Sequence, residues 1–154
     1  MVGRRSLAMF KKPKSAKMSR KGAFLEIMNA IIPWKALCAT IEPYYANDQE
    51  GSSFELEVMF RIYFLQHCFC LSDRDVEGEL YDSYAMRKFS KLGDWEQTTP
   101  DEVVIQRFRN LLEVNGLAKD LIERINTIIA QNGVQISRGR IVEPTITREH
   151  FSAE

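Results

Sequence analysis

Residues 54–71, Phe-Glu-Leu-Glu-Val-Met-Phe-Arg-Ile-Tyr-Phe-Leu-Gln-His-Cys-Phe-Cys-Leu, decide the fold. Their apolar side chains fall on nearly every face of a helix, with Leu56, Met59, Phe60, Tyr63, Phe64 and Cys68 among the contributors. A helix with no polar side must be surrounded by others, which predicts the central rod of a bundle. Glu55, Glu57 and Arg61 sit in its first half, and the uncharged remainder is about half a membrane span, so the stretch reads as a core helix.

Working outward toward the N-terminus, Phe24, Leu25, Ile27, Met28, Ile31 and Ile32 recur at helical spacing until Pro33 stops them. A short helix follows, with Pro33 in its first turn and Trp34, Leu37 and Ile41 inside it, ending at Pro43. Tyr44 to Ser53 is a polar loop around Gly51.

Toward the C-terminus, Ser72 offers an N-cap with Asp73 and Asp75 in the first turn of a helix carrying Val76 and Leu80. Tyr81 to Leu92 continues as another helix before Gly93 and a polar linker. Thr99-Pro100-Asp101-Glu102 has the order of a capping box, with Thr99 as cap, Pro100 at the first helical position and Glu102 returning a hydrogen bond. The helix it starts buries Val104, Phe108, Leu111 and Leu112 and closes at Gly116. A last helix carries Leu117, Leu121, Ile122, Ile125, Ile128 and Ile129 up to Asn132-Gly133. Val134, Ile136, Ile141, Val142 and Ile146 then read as β-formers.

The expectation is a mainly α, multi-helix bundle of six or seven helices with a helix-turn-helix-like part and a short β segment at the C-terminus. Three segments follow: a flexible basic arm at 1–19, a helical domain at 20–133, and at 134–154 the start of something that needs a further sheet.

Net charge is zero, but the first 21 residues hold 8 of the 21 basic side chains and none of the 21 acidic ones, so this front stretch is +8 and the remainder −8. Such a split suits a basic arm that contacts phosphates, and equally a solvated tail. Cys38, Cys68 and Cys70 are odd in number and lack framework spacing, which points to a reducing cytoplasm. His67, Cys68 and Cys70 have neither the CxxC nor the HxxxH spacing of a metal site, and no cofactor is expected. No phosphate loop, GxSxG or HExxH occurs. The carboxylate pairs Asp73 with Glu77 and Asp120 with Glu123 read as solvated helix faces.

The 99–115 helix carries more information. Its polar side presents Gln106, Arg107, Arg109 and Asn110, the side-chain types that make paired hydrogen bonds to guanine and adenine edges in the major groove. The alternative is an exposed helix stitched by pairs such as Arg109 to Glu113. The linker before it is longer than a tight helix-turn-helix turn.

Read in order, Ile32-Pro33-Trp34, Ile41-Glu42-Pro43-Tyr44-Tyr45, Leu56-Glu57-Val58-Met59-Phe60-Arg61-Ile62, Gln66-His67 and Leu71-Ser72-Asp73 form a recognisable series. It continues through Leu80-Tyr81-Asp82, Ser83-Tyr84-Ala85-Met86-Arg87, Pro100-Asp101, Phe108-Arg109-Asn110-Leu111-Leu112-Glu113, Leu117-Ala118 and Gly139-Arg140-Ile141-Val142-Glu143-Pro144-Thr145-Ile146. This series resembles the N-terminal domain of transposases of the insertion-sequence five family, over roughly residues 17 to 147.

The resemblance implies a front domain that helps recognise the terminal inverted repeats of a mobile element. A following ribonuclease-H-like domain with an Asp-Asp-Glu triad would hold two Mg²⁺ ions for cutting and strand transfer. Glu143 stands where that domain's first aspartate is usual, with Pro144 after it, and the sequence reaches Glu154 before the other two carboxylates. The expectation is therefore a DNA-binding transposase portion that is catalytically incomplete and not an enzyme by itself. Gln106, Arg107, Arg109 and Asn110 are its candidate base readers. Lys11, Lys12, Lys14, Lys17, Arg20 and Lys21 are its candidate phosphate contacts. The expected partner is double-stranded DNA at element ends, on the nucleoid. Pairing with itself or with full-length transposase, with an inhibitory role, is the alternative reading, as is the product of a decayed element.

Overall fold

Ser19 starts the first helix: its hydroxyl accepts the Gly22 amide at 3.0 Å and caps α1, Arg20–Ile31. The computed structural model describes residues 19–48, 54–93 and 98–134. Among these it contains seven helices and no strand. The arm before Ser19 and the β-prone segment after Val134 lie outside the described residues.

α2, Trp34–Ala46, follows at Pro33, where the chain bends by 75°. Pro33 is the residue before the helix and not its first residue, as the sequence reading had it. Pro43 lies inside α2 and does not end it. One further turn survives because Tyr45 is held from outside. Its hydroxyl donates to the Phe54 carbonyl at 2.6 Å, and its ring meets Phe108 edge-on at 5.9 Å.

α3, Leu56–Phe69, is buried along most of its length, including Met59, Phe60, Ile62, Phe64, Leu65 and Cys68. It packs against α2, α4 (Asp73–Asp82) and α6 (Glu102–Val114). This is the surrounded helix that its sequence demands, and removing one of its large rings would open a cavity costing about 3–5 kcal/mol. Trp34 anchors α2 to it, meeting Phe60, Phe64 and, from α5 (Tyr84–Phe89), Phe89 edge-on at 5.4–5.7 Å. Cys70 ends α3 in the left-handed conformation and is exposed.

Ser72 and Ser83 cap α4 and α5 through the Asp75 and Met86 amides. The cap of α6 differs from expectation. Asp101 accepts the Val104 amide at 2.9 Å, while Thr99 is buried and receives the Arg87 guanidinium at 2.7 Å. A cap two residues later frees Thr99 for this interior bond, and the α6 stripe rotates with it. Ile105, Phe108 and Leu112 are buried, whereas Val104 and Leu111 are half-buried.

Gly116, at φ 68°, turns the chain between α6 and α7, Leu117–Gln131. A side chain there would sit in open space but in a conformation that L-residues adopt only at a cost. α7 buries Leu121, Ile125 and Ile129 and stops at Asn132-Gly133, as read from sequence. No single described helix is long and apolar enough to cross a membrane.

Candidate nucleic-acid interface

α6 carries the four residues read as base readers, and its neighbours determine what each can do. Buried Ile105, Phe108 and Leu112 fix its inward side against α3, α4 and α7. Its start is tied to α4, since the Glu102 amide donates to Glu77 at 2.8 Å. Glu77, read as solvated charge, therefore closes a helix N-terminus. Gln106 and Asn110 are exposed, and Arg107 is half-exposed. All three lie on the side of the helix away from Ile105, Phe108 and Leu112.

Arg109 is placed differently. Its Nε and Nη2 grip both carboxylate oxygens of Asp73 at 3.1 and 2.8 Å, and its Nη1 reaches Glu113 at 3.2 Å. Asp73 also accepts from Gln66 Nε2 at 2.9 Å, and that amide donates to the Leu71 carbonyl as well. α3, α4 and α6 are thus stitched at one place. Arg109 holds the Asp73 carboxyl below its ordinary value, against the effect of burial and with help from Gln66. The geometry gives Arg109 the part of a clamp that orients α6, with a bidentate fork already filled by protein. Asp73, read as an ordinary first-turn acid, is its half-buried partner.

A cavity of about 330 Å³ beside the clamp is lined by Tyr63, Gln66, His67 and Ile122 together with Asp73 and Arg109. Burial lowers the His67 pKa, opposed by a hydrogen bond to Asn126. The Cys68 thiol is pushed up by burial. Cys38 is raised to about 12, first by burial and then by Glu57. Both therefore stay protonated at neutral pH and are poor nucleophiles or ligands. Among the described residues no three His, Cys, Asp or Glu side chains gather to hold a metal ion.

Of the candidate phosphate contacts, Lys11, Lys12, Lys14 and Lys17 lie outside the described residues. Arg20 is exposed as the first residue of α1. Lys21 belongs to the folded domain. Its ammonium is 3.8 Å from Glu79 and stands over the Phe69 ring at 5.4 Å.

Two buried cations escaped the sequence reading. Arg61 donates to Glu57 at 3.0 Å and to the Phe89 carbonyl at 2.9 Å, and lies over the Trp34 and Phe89 rings. Burial pushes the Glu57 carboxyl up, but Lys91, at 2.9 Å, and Arg61 outweigh it and hold it down. Arg87 donates to the Leu80 and Gly93 carbonyls and to Thr99. For Arg61 the available signal was an arginine within a largely apolar run, which needs polar partners to be buried.

The residues that carry the family resemblance thus build the clamps: Tyr45, Glu57, Arg61, Gln66, Asp73, Arg87 and Arg109. Among solved structures none matches the chain. A family model described as a transposase domain, DUF772, matches residues 13–111, which spans α1 to all but the last turn of α6. That match covers more than half of the 154 residues, and the chain belongs to this transposase domain family.

Proposed function

We propose that this chain is the DNA-binding N-terminal portion of a bacterial transposase of the insertion-sequence five family, recognising the terminal inverted repeats of its element on the nucleoid. The observation that carries the reading is a transposase-family helical domain preceded by 19 residues that hold six basic and no acidic side chains, with Arg20 and Lys21 following at the start of α1. In this reading the arm supplies salt-dependent, sequence-independent affinity. Gln106, Arg107 and Asn110 read base edges, and Arg109 sets the pose of their helix.

Exposed Glu102 and Glu113 flank the readers on α6. The reading line alone is therefore a poor source of affinity for a polyanion, and the division of labour with the arm follows. The helical domain binds and does not cut; cutting is assigned to a ribonuclease-H-like domain of the Asp-Asp-Glu type.

The test is a quantitative mobility-shift series on the element end with Gln106→Ala/Asn110→Ala. The double substitution is expected to cost about 2–4 kcal/mol at the true end and little on unrelated duplex. An equal loss on both duplexes would remove these residues as readers.

A second reading has one observation in its favour. Val103 and Val114 are three turns apart on the outward side of α6 and are 58% and 84% exposed. Apolar side chains so placed suit pairing with another transposase chain. Light scattering of Val114→Lys against the parent separates the two, since only the pairing reading expects a change in mass.

A further inference from the structure

The outward face of α6 is complementary to itself. Val103 and Val114 are the two most exposed large apolar side chains among the described residues, at 58% and 84%, and both stand on this helix. Between them, on the side away from Ile105, Phe108 and Leu112, lie Arg107 and Asn110. Val103, Arg107, Asn110 and Val114 succeed one another at intervals of four, three and four residues. That is the spacing of a seam along which two helices interlock their side chains. Removing the two valines from water favours such an association.

Two directions are open to a pair of these helices, and charge decides between them. In parallel order Arg107 faces Arg107 of the second copy, and like charges so placed repel. In antiparallel order, about a twofold axis at mid-helix, Val103 of each copy meets Val114 of the other. Arg107 then meets Asn110, whose amide oxygen accepts from the guanidinium. One flank sets exposed Gln106 against exposed Glu113, and the other sets half-buried Val104 against half-buried Leu111. The opposed helix dipoles favour the same order. A 13-residue helix offers a face only about 20 Å long. Such a contact falls short of the roughly 1,000 Å² of a stable interface, so the pair is weak and gives way to a competing ligand.

Gln106, Arg107 and Asn110 stand on this same face, so a paired α6 has no readers to offer. We infer that α6 pairs antiparallel with α6 of a second copy of this chain and thereby hides the base readers, so that self-pairing and end recognition exclude each other. The inference rests on both readings above, as alternate uses of one face.

The experiment cross-links the full chain in a Cys70→Gly background, which removes the exposed thiol and leaves Cys38 and Cys68, both held protonated. Val103→Cys and Val114→Cys are treated with a short bis-maleimide, separately and mixed, with and without the terminal inverted repeat. Binding of that duplex and of a shuffled one is read alongside by fluorescence anisotropy. The mixture is expected to give at least about fivefold more linked dimer than either variant alone, because only unlike positions meet across the twofold axis. Saturating element end should lower that yield at least about threefold by mass action. Linking of each variant with itself as readily as in the mixture refutes the antiparallel arrangement, and no linking at about 0.1 mM chain refutes the pairing. If the true end is preferred to the shuffled duplex while the yield stays the same, the exclusion is refuted and end recognition stands. If the mixture links and the true end binds no better than the shuffled duplex, end recognition falls and the exclusion falls with it.

Discussion

Replacing Asp73 with alanine leaves the Arg109 fork facing empty space and strips Gln66 of an acceptor. The pair is bidentate, with side chains 31% and 17% exposed, so it lies between a solvated bridge and a buried one. A fully solvated bridge contributes about 0–1 kcal/mol and a charge-assisted bond at a shielded site about 1.5–3 kcal/mol. With Glu113 still holding one nitrogen of Arg109, the expected loss is about 2 kcal/mol, or a melting point lower by roughly 5–10 °C. Urea unfolding followed by circular dichroism measures it, and a double-mutant cycle with Arg109→Ala isolates the pair. A coupling near zero would refute the clamp. DNA binding adds a second check. If Arg109 only orients α6, Asp73→Ala weakens binding about as much as Arg109→Ala. If Arg109 reads a base, freeing it with Asp73→Ala preserves or improves binding, and the structural argument is wrong.

Four more outcomes follow from the same geometry. The Asp73 carboxyl is held down by Arg109, so the folded chain binds fewer protons than the unfolded one; its stabilisation is complete above the ordinary carboxylate value and is lost as pH falls through the depressed one. His67, lowered by burial, acts in the same direction below its ordinary value of 6.5, so stability should fall once as pH drops below 6.5 and again below 3.8, and Asp73→Asn should flatten only the second fall. Arg61→Ala leaves Glu57 and the Phe89 carbonyl without their buried partner and should cost about 3–5 kcal/mol in chemical denaturation, whereas a well-packed methionine costs less. Two glycines should respond with opposite signs: Gly78→Ala, mid-helix in open space, gains about 0.5–1 kcal/mol, and Gly116→Ala, held at φ 68°, loses about 1–2 kcal/mol. A thiol reagent at neutral pH should label exposed Cys70 quickly and spare Cys38 and Cys68 until the chain unfolds, as mass spectrometry would report.

The fold was legible where one side-chain property dominates. The all-round apolar run at 54–71 required a surrounded helix, and Ser72 and Gly116 marked a start and a stop through local backbone chemistry. Legibility failed where a distant contact outbid a local rule. Thr99 looks like a cap until Arg87 claims its hydroxyl, and Pro43 looks like a stop until Tyr45 is fastened to Phe54 and Phe108.

The candidate site was legible in residue type and not in pairing. A periodic pattern puts Arg109 on the outward side of a helix, but nothing local reveals that Asp73, 36 residues away, occupies its fork.

The account's central claim is that this domain distinguishes the end of its element from other DNA. Competition binding of the purified chain decides it most directly, with the terminal inverted repeat against a shuffled duplex of equal length at two salt concentrations. The account predicts tighter binding to the true end by at least about tenfold, a ratio that survives added salt while both affinities fall. Equal affinity for both duplexes at each salt concentration would contradict it and leave only the basic arm holding DNA.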